Sequence, residues 1–466
     1  MSEEMNGGGR SVLSILAEKI STFDISRVSG RAMTQAKHCI LDTLGVTLAG
    51  SREACTQILL RTPGVATAPG PCLILGSSRT TSALDAALVN GTASHALDYD
   101  DICGDFGGHH SVPIVPMLLA LAQDRGGSGR QFLTAYIVGV ETEIRLARAV
   151  HPHHYNKGWH PTSTLGVFGA AAAASRFLGL NAHRTAMALA IAGSMAGGLK
   201  ASFGTMTKPL HVGHCARDAL LATLLAEGDF DGSMQIFEHP QGFLNVYNGS
   251  GTFDVGAMMQ GWGEQLEIEG ESIGLKQFPC CGSTHAAITA ALKLVKQHGI
   301  IASNVARIEI LPNANRLKHT NKPWPASSLD AKFSVQYVVA RAIASGNVRL
   351  EDFEGDAYLD PVVQNLLGIT QARPHPEMGS DGPQWGAEVV ITMIDGSVHV
   401  ERINNLVSRD GSYPMTASEL KEKFENCSLR VLEAVLVEGL FERVQALELI
   451  DDIQELSLWL RNKADT

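Results

Sequence analysis

From residue 11 to about 270, apolar positions recur at helical spacing, with very small residues wherever a helix face must approach another closely. Ile40, Leu41, Leu44, Val46 and Leu48 form one such stripe, and Gly50 ends it. Residues 81–96 read as a helix whose C-terminal end delivers a run of polar side chains. Residues 165–178, with unbroken alanine over 170–174, predict a helix with one face of small side chains. Gly179 closes that helix, and Asn181 caps the next, which runs to about residue 195. Small faces let helices pack closely, so this part predicts an all-helical bundle.

Near residue 271 the period changes. Residues 306–312 and 387–394 alternate apolar and polar, and Asp395 and Gly396 form a hairpin turn before Val398 and Val400. Helical stretches over 286–297 and 334–344 lie between them, which predicts an α+β segment with an antiparallel sheet. Amphipathic helix returns over 418–433 and 446–462. The expected protein is therefore mainly α, with a large all-helical domain over 1–270 and 405–466 and a smaller α+β domain over 271–404.

Composition agrees with two domains. The chain has 466 residues, 45% apolar and only 18% charged, with 47 Gly, which suits a tightly packed soluble enzyme. A net charge of −11 argues against nucleic acid as a partner. No apolar stretch is long and uninterrupted enough to predict a membrane span. Residues 1–10 are acidic and then Gly-rich, unlike a signal peptide. The eight Cys are scattered without metal-ligand or secreted-domain spacing, although Cys280 and Cys281 are adjacent, so a reducing cytoplasm is the expected compartment.

Against this apolar background, residues 95–111 hold four carboxylates and three imidazoles: Asp98, Asp100, Asp101, Asp105, His95, His109 and His110. Such density costs solvation energy when buried and needs pairing, a metal or a catalytic use. Three further polar patches stand out, around Lys157 and His160, around Lys208 and His211, and from Lys276 through Cys280 and Cys281 to His285. Taken singly, each Lys is an ordinary solvated charge and each His a structural one. Here they sit in loops flanked by Gly, Pro and Thr, where binding and catalysis concentrate. Two lysines and several histidines suit carboxylate binding, and an imidazole with a carboxylate partner suits proton transfer. No P-loop, nucleophile elbow or dinucleotide fingerprint appears, and no HExxH supports metal hydrolysis, so neither cofactor nor metal is expected.

At these patches the chain resembles the MmgE/PrpD family, over most of its length. The matching segments are Asn90 to Asp101, Trp159 to Ser163, Thr207 to Gly213, Lys276 to Gly282 and Ala331 to Tyr337. The family's members include 2-methylcitrate dehydratases, cis-aconitate decarboxylases and an iminodisuccinate epimerase. The resemblance implies a helical domain with an α+β lid, a homodimer, and a small di- or tricarboxylate substrate. It implies catalytic roles for Asp98, His109, His160 and Tyr337, and substrate binding by Lys208, Lys276, His110 and His211, with either His109 or His110 as the acid/base. Asp98 is expected to orient one imidazole, with Asp100, Asp101 and Asp105 structural. Ile102 stands where the decarboxylase has a hydroxyl, and together with Cys280 and Cys281 it points to the epimerase branch. The expectation is therefore cofactor-free epimerisation of iminodisuccinate or a similar aminodicarboxylate, by proton abstraction beside a carboxylate. The alternatives are a lyase of the same family, a metal-dependent hydrolase and a non-catalytic polycarboxylate-binding protein.

Overall fold

Residues 10–379 and 385–462 are described by a computed structural model; residues 1–9, most of the N-terminal segment read above, lie outside them. The chain is mainly helical and divides into two compact units. One takes the residues up to Ile273 together with those from Met415, and the other is Gly274–Pro414.

The first unit is helical, built from α1 (Val12–Thr22), α2 (Gly30–Gly50), α3 (Ala83–His95), α4 (Val115–Arg125), α5 (Gly129–Val150), α6 (Gly166–Phe177), α7 (Ala182–Gly193) and α8 (Thr207–Glu227). Ser11, Ser29, Ser82, Ser128 and Asn181 cap five of these by accepting a backbone N–H, each cap contributing about 1 kcal/mol. The alanine face of α6 packs on α5, and α3 crosses α8. At that crossing Gly91 and Gly213 meet. A Cβ at Gly213 would lie 2.3 Å from the Leu88 carbonyl oxygen, so only glycine fits there.

The second unit packs α9 (His285–His298) and α10 (Val335–Ser345) on a four-stranded sheet. Its strands are β1 (Val305–Pro312), β2 (Thr370–Ala372), β3 (Ala387–Met393) and β4 (Val398–Ile403), in the order β2-β1-β3-β4. The pairs β1–β3 and β3–β4 are antiparallel, and the Asp395–Gly396 turn joins β3 to β4 with Gly396 at φ +88°. The short edge strand β2, which the period left unseen, runs parallel to β1 and makes the sheet mixed.

The chain then returns to the first unit through α11 (Ala417–Ser428) and α12 (Ala434–Gln445), both packed on α2. The continuous helix expected over 446–462 breaks into short turns. Its backbone is used elsewhere: Gly129 N–H donates to the Ile450 carbonyl, and Ile453 N–H to the Gly127 carbonyl, each at 2.8 Å. Tertiary hydrogen bonds have replaced the helical ladder.

Candidate active site

The acidic loop begins where α3 ends. Asp98 takes φ +53°, a left-handed conformation that Asp tolerates better than most residues, and this reverses the chain just past His95. A tight turn, with Cys103 N–H bonded to the Gly108 carbonyl at 2.9 Å, then brings the chain back to His109 and His110. Thr162 Oγ accepts the His109 N–H at 3.1 Å, tying this loop to the segment after His160.

Asp98 is buried, and its Oδ1 accepts from Lys208 Nζ at 2.6 Å, reaching into the first turn of α8. His109 Nε2 lies 3.7 Å from the same oxygen. The partner that orients His109 is Asp100, whose Oδ2 sits 2.8 Å from His109 Nδ1 and 2.9 Å from His95 Nδ1. Burial opposes the charge on Asp100, but the imidazoles of His109 and His95 outweigh it and hold the carboxyl well below its usual range. Burial likewise pushes His95 down to about 3, against the pull of Asp100. His109 Nδ1 thus faces Asp100, while its Nε2 faces the Asp98 carboxylate that Lys208 holds.

His160 lies beside this group, its ring stacked 5.8 Å from that of His95 and edge-on to Phe203 at 4.9 Å. Burial holds it well below the ordinary histidine range. Its Nδ1 is 3.1 Å from His211 Nδ1, and its Nε2 is buried without a hydrogen-bond partner among the described residues. Lys208, one turn before His211 on α8, also faces the Phe203 ring, at 5.2 Å.

Behind the loop, Lys423 of α11 reaches inward. Its Nζ pairs with Asp42 Oδ1 at 2.6 Å, donates to the Tyr99 carbonyl at 2.8 Å, and lies 4.0 Å over the Tyr99 ring. Tyr99 stands between Asp98 and Asp100, so the returning C-terminal segment fastens the loop from below.

The first unit thus brings together Asp98, His109, His160, Lys208 and His211. His110 goes elsewhere: fully buried, it lies 3.4 Å from Asp101 Oδ2 on the inner side of the loop. Asp101 accepts from the Ser111 hydroxyl, which also meets Tyr136 Oη at 2.6 Å, and burial raises the Asp101 carboxyl to about 7. Asp105 is exposed, near Arg148. His95 and Asp100 are the members that the sequence reading left out of the site. Ile102 is buried in the turn.

Lys276 and Tyr337 belong to the second unit. Lys276 is buried, in a segment fastened where Leu275 and Arg409 exchange backbone hydrogen bonds at 3.1 and 2.8 Å. Tyr337 lies in that unit's apolar core. Its hydroxyl donates to the Asp352 carbonyl and accepts from Arg341 at 3.3 Å. Cys280 and Cys281 are buried thiols, with Cys280 Sγ 3.4 Å from Thr284 Oγ1.

Two groups carry donor types that a divalent cation takes: His95, Asp98, Asp100 and His109, and separately Cys39, Asp101 and His110. In the first, the Lys208 ammonium already supplies a positive charge to Asp98. No helix among the described residues is long and apolar enough to cross a membrane.

The chain matches the MmgE/PrpD N-terminal domain over residues 14–255 and the MmgE/PrpD C-terminal domain over 278–449. It is similar to the cis-aconitate decarboxylase of Homo sapiens, 28% identical over 97% of this chain and 95% of that protein. The cis-aconitate decarboxylase of Mus musculus is 29% identical over 97% and 94%, and that of Aspergillus terreus 26% over 94% and 93%.

Proposed function

Because the chain belongs to the MmgE/PrpD family, we propose that it is a lyase acting on a di- or tricarboxylate, with cis-aconitate the first candidate substrate. The similarity to cis-aconitate decarboxylases along nearly the whole chain favours bond cleavage over the epimerisation expected from Ile102 and the paired cysteines. One observation carries the chemistry: the buried Lys208–Asp98 pair at 2.6 Å, set among the imidazoles of His95, His109 and His160.

Loss of CO2 leaves an electron pair on carbon beside a carboxylate. That charge needs fixed cations and a proton donor already in place. Lys208 takes a substrate carboxylate, with Asp98 holding the ammonium in position. His109, beside Asp100, steadies the Asp98–Lys208 pair through Nε2, and His160 is the proton donor. Lys276 keeps the substrate-binding role its motif implies. His110 and Tyr337 receive structural tasks, the first beside Asp101 and the second through Arg341 and Asp352. The active form is a homodimer, which light scattering would read as twice 49.7 kDa.

Purified protein incubated with cis-aconitate in deuterated water should release CO2 and give a product carrying one solvent deuteron. Dehydration of 2-methylcitrate instead would keep the lyase reading and change the substrate. The epimerase reading retains support from two imidazoles on separate loops and from Ile102. It is established instead if iminodisuccinate exchanges its proton and loses optical activity while neither lyase substrate reacts. Turnover undiminished by a chelator removes the metal-dependent hydrolase.

A further inference from the structure

Under the lyase reading, His160 must give up a proton in every turnover from a ring that is only 1% exposed. We propose that His211 is the proton partner of His160, letting the buried ring release its Nε2 proton without becoming an anion; the proposal rests on that reading of the site.

The geometry supports a paired device. The two Nδ1 atoms are 3.1 Å apart, so a single hydrogen lies between them. His160 Nε2 is free of protein partners among the described residues, while His211 is half-buried, with the exposed His214 one turn further along α8 and Lys208 one turn before it. Both residues are fixed through their backbones: the His160 backbone N–H donates to the Gly198 carbonyl at 3.1 Å, and the Ser163 hydroxyl donates to the His211 backbone carbonyl at 3.0 Å. Gly198 runs over the pair at φ +128°, where a Cβ would lie 3.3 Å from His211 Nδ1 and 3.4 Å from His160 Cβ. Glycine takes this positive-φ backbone over the rings without strain.

The step balances as follows. The bond to the leaving carboxylate breaks, CO2 departs, and the electron pair left on carbon takes the Nε2 proton of His160. The shared hydrogen moves from His211 Nδ1 to His160 Nδ1, and solvent gives His211 Nε2 a proton. Both rings remain neutral, which suits a ring that burial keeps from ionising. After product leaves, solvent returns a proton to His160 Nε2, the shared hydrogen shifts back, and His211 Nε2 releases its own. One proton per turnover has passed from solvent to product.

His211→Asn tests this, because the amide keeps a hydrogen bond to His160 but cannot pass a proton through. Its KM should stay within about threefold of the native value while kcat falls about tenfold or more. His211→Ala should fall similarly and recover with imidazole in the buffer. A kcat for His211→Asn close to native, or no imidazole rescue, overturns the proposal. If the native protein turns over none of the carboxylates, the lyase reading fails and the pair is judged from 15N spectra of histidine-labelled protein. Shifts of the His160 nitrogens that change in His211→Asn support the shared hydrogen, and shifts that do not change overturn it.

Discussion

A carboxylate held between two imidazoles decides which nitrogen of each ring is available for chemistry. Asp100 Oδ2 bonds His95 Nδ1 and lies 2.8 Å from His109 Nδ1, and the other nitrogen of His109 faces the Asp98–Lys208 pair. Asp100→Asn keeps the shape but offers an amide that favours the wrong tautomer. We expect kcat to fall by roughly 10²-fold or more with KM little changed and the circular dichroism intact. Equal kcat in the variant would show that His109 needs no orienting carboxylate. The density of Asp and His over residues 95–111 was legible in the sequence, and so were Asp98, His160 and Lys208 as members of one constellation. The pairing was not. Adjacent residues in extended chain point to opposite sides, so His109 and His110 had to part company, but spacing alone does not say which turns outward. Nor does it show that the left-handed turn at Asp98 brings Asp100 back under His95.

At the level of elements, the helix periodicities translated well, because Ser82 and Asn181 cap the starts of α3 and α7 and Gly179 follows the end of α6. The failures were tertiary. The break after α12 comes from backbone bonds to residues 127 and 129, and β2 is too short to show a period. The clasp between α11, α2 and the acidic loop is a tertiary feature of the same kind. Lys423→Met removes the cation beside Asp42, so the buried carboxyl takes up a proton and the urea midpoint should fall, more steeply at higher pH. Adding Asp42→Asn removes the ionisable group and should return most of that stability at high pH. Activity should stay low in the double variant, because the Lys423 bond to the Tyr99 carbonyl, next to Asp98, is still gone. Full activity in the double variant would reduce Lys423 to a purely structural role.

For the whole molecule, buried ionisable groups set a pH profile for stability. Burial raises Asp42, Asp101 and Glu267 to about 7, and lowers His95, His110 and His154 to about 3. Between the usual carboxylate range and pH 6.5 or so, the folded chain binds extra protons at the carboxylates and lacks protons at the histidines, and the two effects oppose each other. Above the usual histidine value only the carboxylate effect remains. The folded state then holds protons that the unfolded chain has lost, so stability falls as pH rises through about 7. Below about pH 4 the histidines and Asp100 dominate, and stability falls as pH drops. Urea midpoints measured across this range should be broad and flat in the weakly acidic region and decline on both sides. A midpoint that climbs from pH 6.5 to 8 would contradict the burial of these carboxylates.

The Lys423 clasp also has a meaning in time. A ribosome makes the acidic loop early and α11 only after the whole second unit has emerged. Until then neither Asp42 nor the Tyr99 carbonyl has the Lys423 ammonium beside it. A nascent chain stopped at residue 414 should therefore hold the helices of the first unit without a working site. Competence for catalysis waits until the second unit has been made and α11 follows it.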